Sequence, residues 1–190
     1  MDIFSIFLAA ILVNNIVITK FLGMCPFLGV SKKASSAIGM GLAVTFVIIG
    51  ASIFTYGIYY YVLVQFGLEY LDLISFILVI ASFVQLTEMI IKKFSPPLYK
   101  SLGIYLPLIT TNCAVLYVAL DNITQGYNFT EMIVSSLGVS VGFTMVLYIF
   151  SCIRERLEYS NVPKYFKGNP ISLIVAAIMA LAFVGFGGIV

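Results

Sequence analysis

Hydrophobic positions in this chain come in long unbroken runs, with neither the alternation of a half-buried strand nor the one-faced spacing of a surface helix. Stretches free or nearly free of charge run from about residue 3 to 23, 38 to 64, 71 to 91, 101 to 120, 132 to 153 and 170 to 190. Each reaches the roughly 20 apolar residues that a helix needs to cross a bilayer. The pattern predicts an all-α integral membrane protein of six transmembrane helices. Six crossings consume about 120 of the 190 residues, so no soluble catalytic domain fits in the short connections left over.

The polar residues between the runs are sorted by sign. Lys20, Lys32 and Lys33 flank the first connection, Lys92, Lys93 and Lys100 the third, and Arg154, Arg156, Lys164 and Lys167 the fifth, which accounts for all ten basic residues. The opposite side carries Asp2, Glu69, Asp72, Asp121 and Glu131 and no Lys or Arg. The positive-inside rule therefore places the odd connections in the cytoplasm and both termini outside. Tyr56, Tyr59, Tyr60, Tyr61 and Tyr70 bracket the second connection as an aromatic belt does. The start, Met1-Asp2-Ile3-Phe4, lacks the basic flank of a cleaved signal peptide, so the first run reads as a retained helix.

Composition narrows the chemistry. Hydrophobic residues make up 62% and charged residues 9%, and there is no histidine, which excludes imidazole metal sites and Ser-His or Cys-His nucleophile pairs. Redox or metal chemistry is left to Cys25, Cys113, Cys152 and the carboxylates. Three cysteines are one short of the ligands of an iron–sulfur cluster, so a cluster would be shared with another chain. There is no dinucleotide or phosphate-loop fingerprint, so any nucleotide binds a different polypeptide.

Six spans also allow two inverted three-helix repeats, residues 1–97 and 98–190. Cys25 and Cys113 lie 88 residues apart, and the G-x-x-V-x-F pattern of Gly41 to Phe46 returns 97 residues later in Gly138 to Phe143. The longer fourth connection, Asp121 to Thr130, absorbs the difference. Elements related in this way meet near the midplane, where broken helices expose backbone dipoles. Gly23 and Pro26 beside Cys25, and Pro107 with Thr110-Thr111-Asn112 beside Cys113, are the expected interruptions of the first and fourth helices. On a straight helix Cys25 would lie about 33 Å from Ile3, at the cytoplasmic face. A midplane site therefore requires the first span to break near Asn14-Asn15 or Gly23.

Each candidate has a bland reading beside its chemical one. Cys25 and Cys113 are small core residues, exchanging thiols or metal ligands. Lys20 either snorkels to the interface or compensates an anionic site. Glu88, the acid well inside the third span, either pairs with Lys92 one turn on or serves an ion path. Asn14, Asn15, Thr19, Thr110, Thr111 and Asn112 line a cation path or join helices, and Gly138-x-x-x-Gly142 is a helix-packing signal. Cys152, without a counterpart in the other half, reads as structural.

The stretches Leu12-Val13-Asn14-Asn15, Phe21-Leu22-Gly23-Met24-Cys25-Pro26-Phe27-Leu28-Gly29-Val30-Ser31-Lys32-Lys33, Gln85-Leu86-Thr87-Glu88-Met89, Leu102 to Ala114 and Ile153-Arg154-Glu155-Arg156-Leu157 resemble the A-type subunit family of the Rnf ion-translocating electron-transport complex. The homologous E-type subunit of the sodium-translocating NADH:quinone reductase is the nearest rival. Cys25-Pro26-Phe27 and Asn14-Asn15 favour the Rnf family, because the rival tends to have Cys-Thr-Phe and Glu-Asn there. The resemblance implies a membrane component, binding no nucleotide, of a redox-driven translocase in the cell inner membrane. That complex passes electrons from reduced ferredoxin to NAD+ and exports Na+ or H+. It implies Cys25 and Cys113 as half the ligands of an intramembrane [2Fe-2S] cluster completed by an oppositely oriented, homologous E-type subunit. Flavins belong to the D- and G-type subunits, the B- and C-type subunits are peripheral, and no nucleic acid is involved. A plain secondary transporter with packing cysteines and a thiol-disulfide membrane oxidoreductase are the alternatives outside the family.

Overall fold

Apolar runs this long must satisfy their backbone groups internally, and helices are how they do so. The computed structural model describes residues 3–13, 15–31, 34–67, 69–94, 109, 112–160, 163 and 165–185, and among these there is no strand. The helices are α1 (Ile3–Leu8, widened into a π turn over Ala9–Val13), α2 (Ile16–Thr19), α3 (Met24–Val30) and α4 (Ala34–Phe66, with a π turn at Tyr59–Leu63). They continue as α5 (Asp72–Phe94), α6 (Cys113–Thr124), α7 (Phe129–Glu158) and α8 (Asn169–Val184).

α4 and α7 pack along most of their length and form the centre of the molecule. Gly41 of α4 lies so close to Thr144 of α7 that a side chain there would collide with it. Met40, Val44, Ile48, Phe143, Leu147 and Phe150 fill the seam between the two helices and their neighbours. α6 packs on α4, α5 on α4 and α6, and α8 on α2. The outer faces are as apolar as the seam: Leu42 and Leu78 are each 66% exposed and Leu181 76%. Water would penalise surfaces of that kind, whereas lipid does not.

The expectation of six full-length crossings is met only in part. Among the described residues three helices are long and apolar enough to cross a membrane, Ala34–Phe66, Asp72–Ile90 and Phe129–Glu158. The first run is no single helix, because α1, α2 and α3 divide it. The fourth begins its described helix only at Cys113, and α8 has 16 residues, about 24 Å against a hydrocarbon thickness of about 30 Å. Two pairs of helix starts nevertheless share one spacing: α2 and α6 begin at Ile16 and Cys113, and α5 and α8 at Asp72 and Asn169, each pair 97 residues apart, while α4 and α7 begin at Ala34 and Phe129, 95 apart. The spacing of 97 matches the Gly41/Gly138 anchor, and it pairs Cys113 with Ile16 rather than with Cys25.

Two cysteines at the broken first helix and the start of α6

The first break is built by Asn15. Its backbone is extended (φ −65°, ψ 112°), and its Oδ1 accepts the Val17 N–H at 3.2 Å, capping α2. Its Nδ2 donates to the carbonyls of Ile11 (3.2 Å) and Gly142 (3.0 Å), so the side chain closes the end of one segment, the start of the next and the flank of α7. Buried backbone groups freed by a helix break must find partners of this kind. The close approach depends on the small residues of α7. A Cβ on Gly138 would sit 2.9 Å from that of Ala10, and one on Gly142 3.1 Å from Asn15 Nδ2 and the Ile11 carbonyl. Gly138-x-x-x-Gly142 is thus a packing motif whose partner is the broken first helix.

Asn112 does the same in the second half of the chain. Its backbone is extended at φ −73°, ψ 114°, and its Oδ1 accepts the Ala114 N–H at 3.0 Å, so α6 starts at Cys113. Its Nδ2, buried, has no partner among the described residues.

The second break carries the chemistry. After α2 the chain turns through Phe21 (φ 53°) and Gly23 (φ 81°), and α3 begins at Met24. A left-handed backbone at Gly23 suits glycine alone, and space demands it too, since a Cβ there would lie 2.8 Å from Phe143 Cε2 and 3.5 Å from Asn112 Oδ1. The Gly23 N–H donates to the Cys113 sulfur at 3.0 Å. That contact sets the turn leading into Cys25 directly against the first residue of α6. Cys25 and Pro26 occupy the first turn of α3, where proline's missing N–H costs nothing. Both thiols are free; Cys25 is exposed on the surface of the chain and Cys113 is half-buried. Residues of α2, α3, α7 and α8, among them Val17, Met24, Phe27, Val146 and Met179, wall a small apolar crevice that neither cysteine lines.

The far end of α3 is held equally firmly. Arg154 Nη1, near the end of α7, donates to the Leu28 carbonyl and to Ser31 Oγ, both at 2.8 Å. Phe27 stacks on Phe150 with centroids 4.0 Å apart. Gly142 and Phe143, which receive Asn15 and Gly23, lie at the middle of the 30-residue α7. The breaks therefore remove the obstacle of a straight first helix: the turn before Cys25 sits at half the height of α7, not at its end.

The remaining candidates scatter. Lys20 is exposed and ends α2, its backbone N–H donating to the Ile16 carbonyl at 3.3 Å. Thr19 returns its hydroxyl to the Asn15 carbonyl at 2.8 Å. Glu88 is half-buried on α5, and among the described residues no hydrogen bond ties it to either cysteine. Cys152 is half-buried on α7, two residues before Arg154. Asn14, Thr110 and Thr111 lie outside the described residues. Arg154, Ser31, Gly142 and Phe143 form the site through contacts that span more than 110 residues of sequence, so the chain pattern, which read Gly138-x-x-x-Gly142 as packing and Gly138 to Phe143 as a repeat anchor, did not assign them to it. The one available signal was Arg154 itself, which counted only as a topology charge.

Chemically, the Gly23 N–H directed at the Cys113 sulfur and the start of α6 favour an anionic sulfur there, and Cys25 lies two residues beyond Gly23 on the segment that makes this contact. Among the described residues no three Cys, Asp or Glu side chains converge, so a four-ligand metal site needs donors from elsewhere.

Residues 3–190 match the family model described as Rnf-Nqr subunit, membrane protein. The A-type subunit of the Na(+)-translocating ferredoxin:NAD(+) oxidoreductase complex of Acetobacterium woodii is 57% identical over 188 residues, covering 99% of this chain and 98% of that one. The A-type subunit of the ion-translocating oxidoreductase complex of Syntrophotalea carbinolica is 55% identical over 189 residues, covering 100% and 98%. The protein of the same description from Vibrio cholerae is 56% identical over 183 residues, covering 96% and 95%. With a match over nearly its whole length and relatives well above half identical, the chain belongs to the Rnf-Nqr family of membrane subunits.

Proposed function

We propose that this chain is the A-type membrane subunit of an ion-translocating ferredoxin:NAD+ oxidoreductase, and that Cys25 and Cys113 supply half the ligands of a [2Fe-2S] cluster shared with a homologous E-type subunit. The observation that carries the reading is the 3.0 Å hydrogen bond from the Gly23 N–H to the Cys113 sulfur. It brings the two cysteine-bearing segments together at the middle of α7. The donor set fits such a group: two free thiols, a backbone N–H directed at one of the sulfurs and the start of α6 at Cys113. The group would supply one-electron transfer across the membrane interior. Cys25, exposed on this chain, faces the surface where a partner's ligands would approach.

The six-span arrangement as two inverted repeats, 1–97 and 98–190, belongs to the same reading, and the 97-residue recurrence of two pairs of helix starts supports it. So do both termini outside and the basic connections in the cytoplasm. Flavin-carrying D- and G-type subunits and peripheral B- and C-type subunits complete the complex, which exports Na+ or H+. Export of one monovalent cation against 100 mV costs about 2.3 kcal/mol, the least preference that the redox reaction must impose on two arrangements of the paired halves.

The test is iron and acid-labile sulfide content of this chain purified with its membrane partner, beside this chain alone, with paramagnetic resonance of the reduced pair. Iron in the pair, lost in Cys25→Ser and in Cys113→Ser, is the expected result. An iron-free pair, or a signal indifferent to both substitutions, refutes the reading and leaves a transporter with packing cysteines.

A further inference from the structure

A second buried polar cluster lies away from the thiols, where α4, α6 and α7 meet. Asn122 Nδ2 donates to Ser136 Oγ at 3.1 Å and to Ser52 Oγ at 3.5 Å, and Ser136 Oγ donates to Ser52 Oγ at 3.1 Å. All three residues are at least 95% buried. Asn122 Oδ1 has no partner among the described residues. Either orientation of the amide leaves one buried end unpaired among the described residues, so the cluster does not pair all of its own atoms.

From this geometry we infer that Ser52, Asn122 and Ser136 form a binding site for a monovalent cation of the size of Na+, on the outer side of the thiol pair. The two ends of the amide have the same shape, and half a turn exchanges them. Oδ1 then joins the two hydroxyls in a triangle with edges of 3.1, 3.1 and 3.5 Å. A hard cation about 2.4 Å from each oxygen seats on the face of such a triangle. With the amide in its other orientation the three groups bond to one another and the site is closed. Uncharged oxygens select a single charge, since divalent sites recruit carboxylates to offset the second.

The surroundings agree in sign. Asn122 stands nine residues, about 14 Å, beyond Cys113 along α6, and Ser136 seven residues, about 10 Å, from Phe143 along α7. Both displacements run toward the 125–128 connection. There Asp121 accepts the Tyr117 hydroxyl at 3.4 Å, and the Glu131 carboxylate accepts the Asn128 N–H at 3.0 Å. Burial, then Asp121 and Glu131, push the Tyr127 hydroxyl above its usual value, which puts both carboxylates in electrostatic reach of one residue. By its charge pattern this side of the chain carries no Lys or Arg, so the field around the 125–128 connection attracts cations.

The inference rests on the ion-translocating reading but not on the cluster, and the experiment separates the two. The purified complex is melted in NaCl against choline chloride at equal ionic strength, and its iron is measured in the same samples. Wild type is expected to gain stability with Na+, and Asn122→Ala and Ser136→Ala to need at least about tenfold more Na+ for the same gain. Ser136→Thr, which keeps the hydroxyl, and Ser151→Ala, which removes a buried unpaired hydroxyl elsewhere on α7, should stay near wild type. If Asn122→Ala does not assemble, the Ser136→Ala and Ser136→Thr pair decides. A wild-type complex indifferent to Na+, or variants that all respond like wild type, overturns the site. Absent iron with a variant-sensitive Na+ response sinks the electron route alone.

Discussion

Removing the Arg154 side chain should loosen the helix that carries Cys25. α3 has seven residues, too short to hold itself, so it depends on what grips its ends. Arg154 Nη1 satisfies the Leu28 carbonyl, one of the unpaired carbonyls of the last turn, and Ser31 Oγ, whose residue is fully buried. A hydrogen bond from a charged donor contributes about 1.5–3 kcal/mol. The two share one amino group, so about 3 kcal/mol for the pair is the appropriate scale, a roughly 150-fold larger opening equilibrium. Amide hydrogen exchange over residues 27–31 of the assembled complex reads that equilibrium. Arg154→Ala should speed exchange there by about two orders of magnitude while the middle of α7 stays protected. Arg154→Lys, a point charge without the planar fork, should recover about half the effect in free energy. Equal exchange over 27–31 in wild type and Arg154→Ala would show that Arg154 does not hold α3.

Three further outcomes follow from the same geometry. Gly23→Ala meets both a φ of 81° and Phe143 at 2.8 Å, so it should cost at least about 1–2 kcal/mol and lower the melting temperature of the complex, whereas Gly57→Ala, with open space around it, should not. Asn15→Ala loses the cap of α2 and leaves the Ile11 and Gly142 carbonyls without their donor, a loss of about 2–4 kcal/mol to be read by denaturant or thermal melting. Tyr127 keeps its proton above the usual tyrosine range because burial and then two carboxylates disfavour the anion. Its contribution to stability is thus intact below the ordinary tyrosine value of 10.0 and is lost as the pH rises through its folded-state value. Ultraviolet titration of tyrosinate should lose one component above the ordinary tyrosine range in Tyr127→Phe, and an unchanged curve above that range would contradict the assignment.

The chain pattern alone determined the solvent of this protein and carries the expectation of its orientation. Runs of some 20 apolar residues and ten basic residues confined to alternate connections are local facts, readable without knowing what touches what. The need for a break in the first span was also legible, from Asn15, Gly23 and Pro26, because those residues act on their own backbone. Two things were not. The register of the two halves was one: the cysteines repeat at 88 residues and the G-x-x-V-x-F pattern at 97, and only the starts of α2 and α6 and of α5 and α8 side with 97, since a cap is defined by backbone geometry and a cysteine by nothing local. The placing of Cys25 was the other. It follows from Gly142 and Phe143 at mid-height on α7 and from Arg154 reaching across 126 residues to Leu28. Contacts of that range depend on how helices stack, and each partner is an ordinary residue until the fold brings it to the other. Tertiary structure alone thus turned two separated thiols into neighbouring segments and assembled Ser52, Asn122 and Ser136 from three helices.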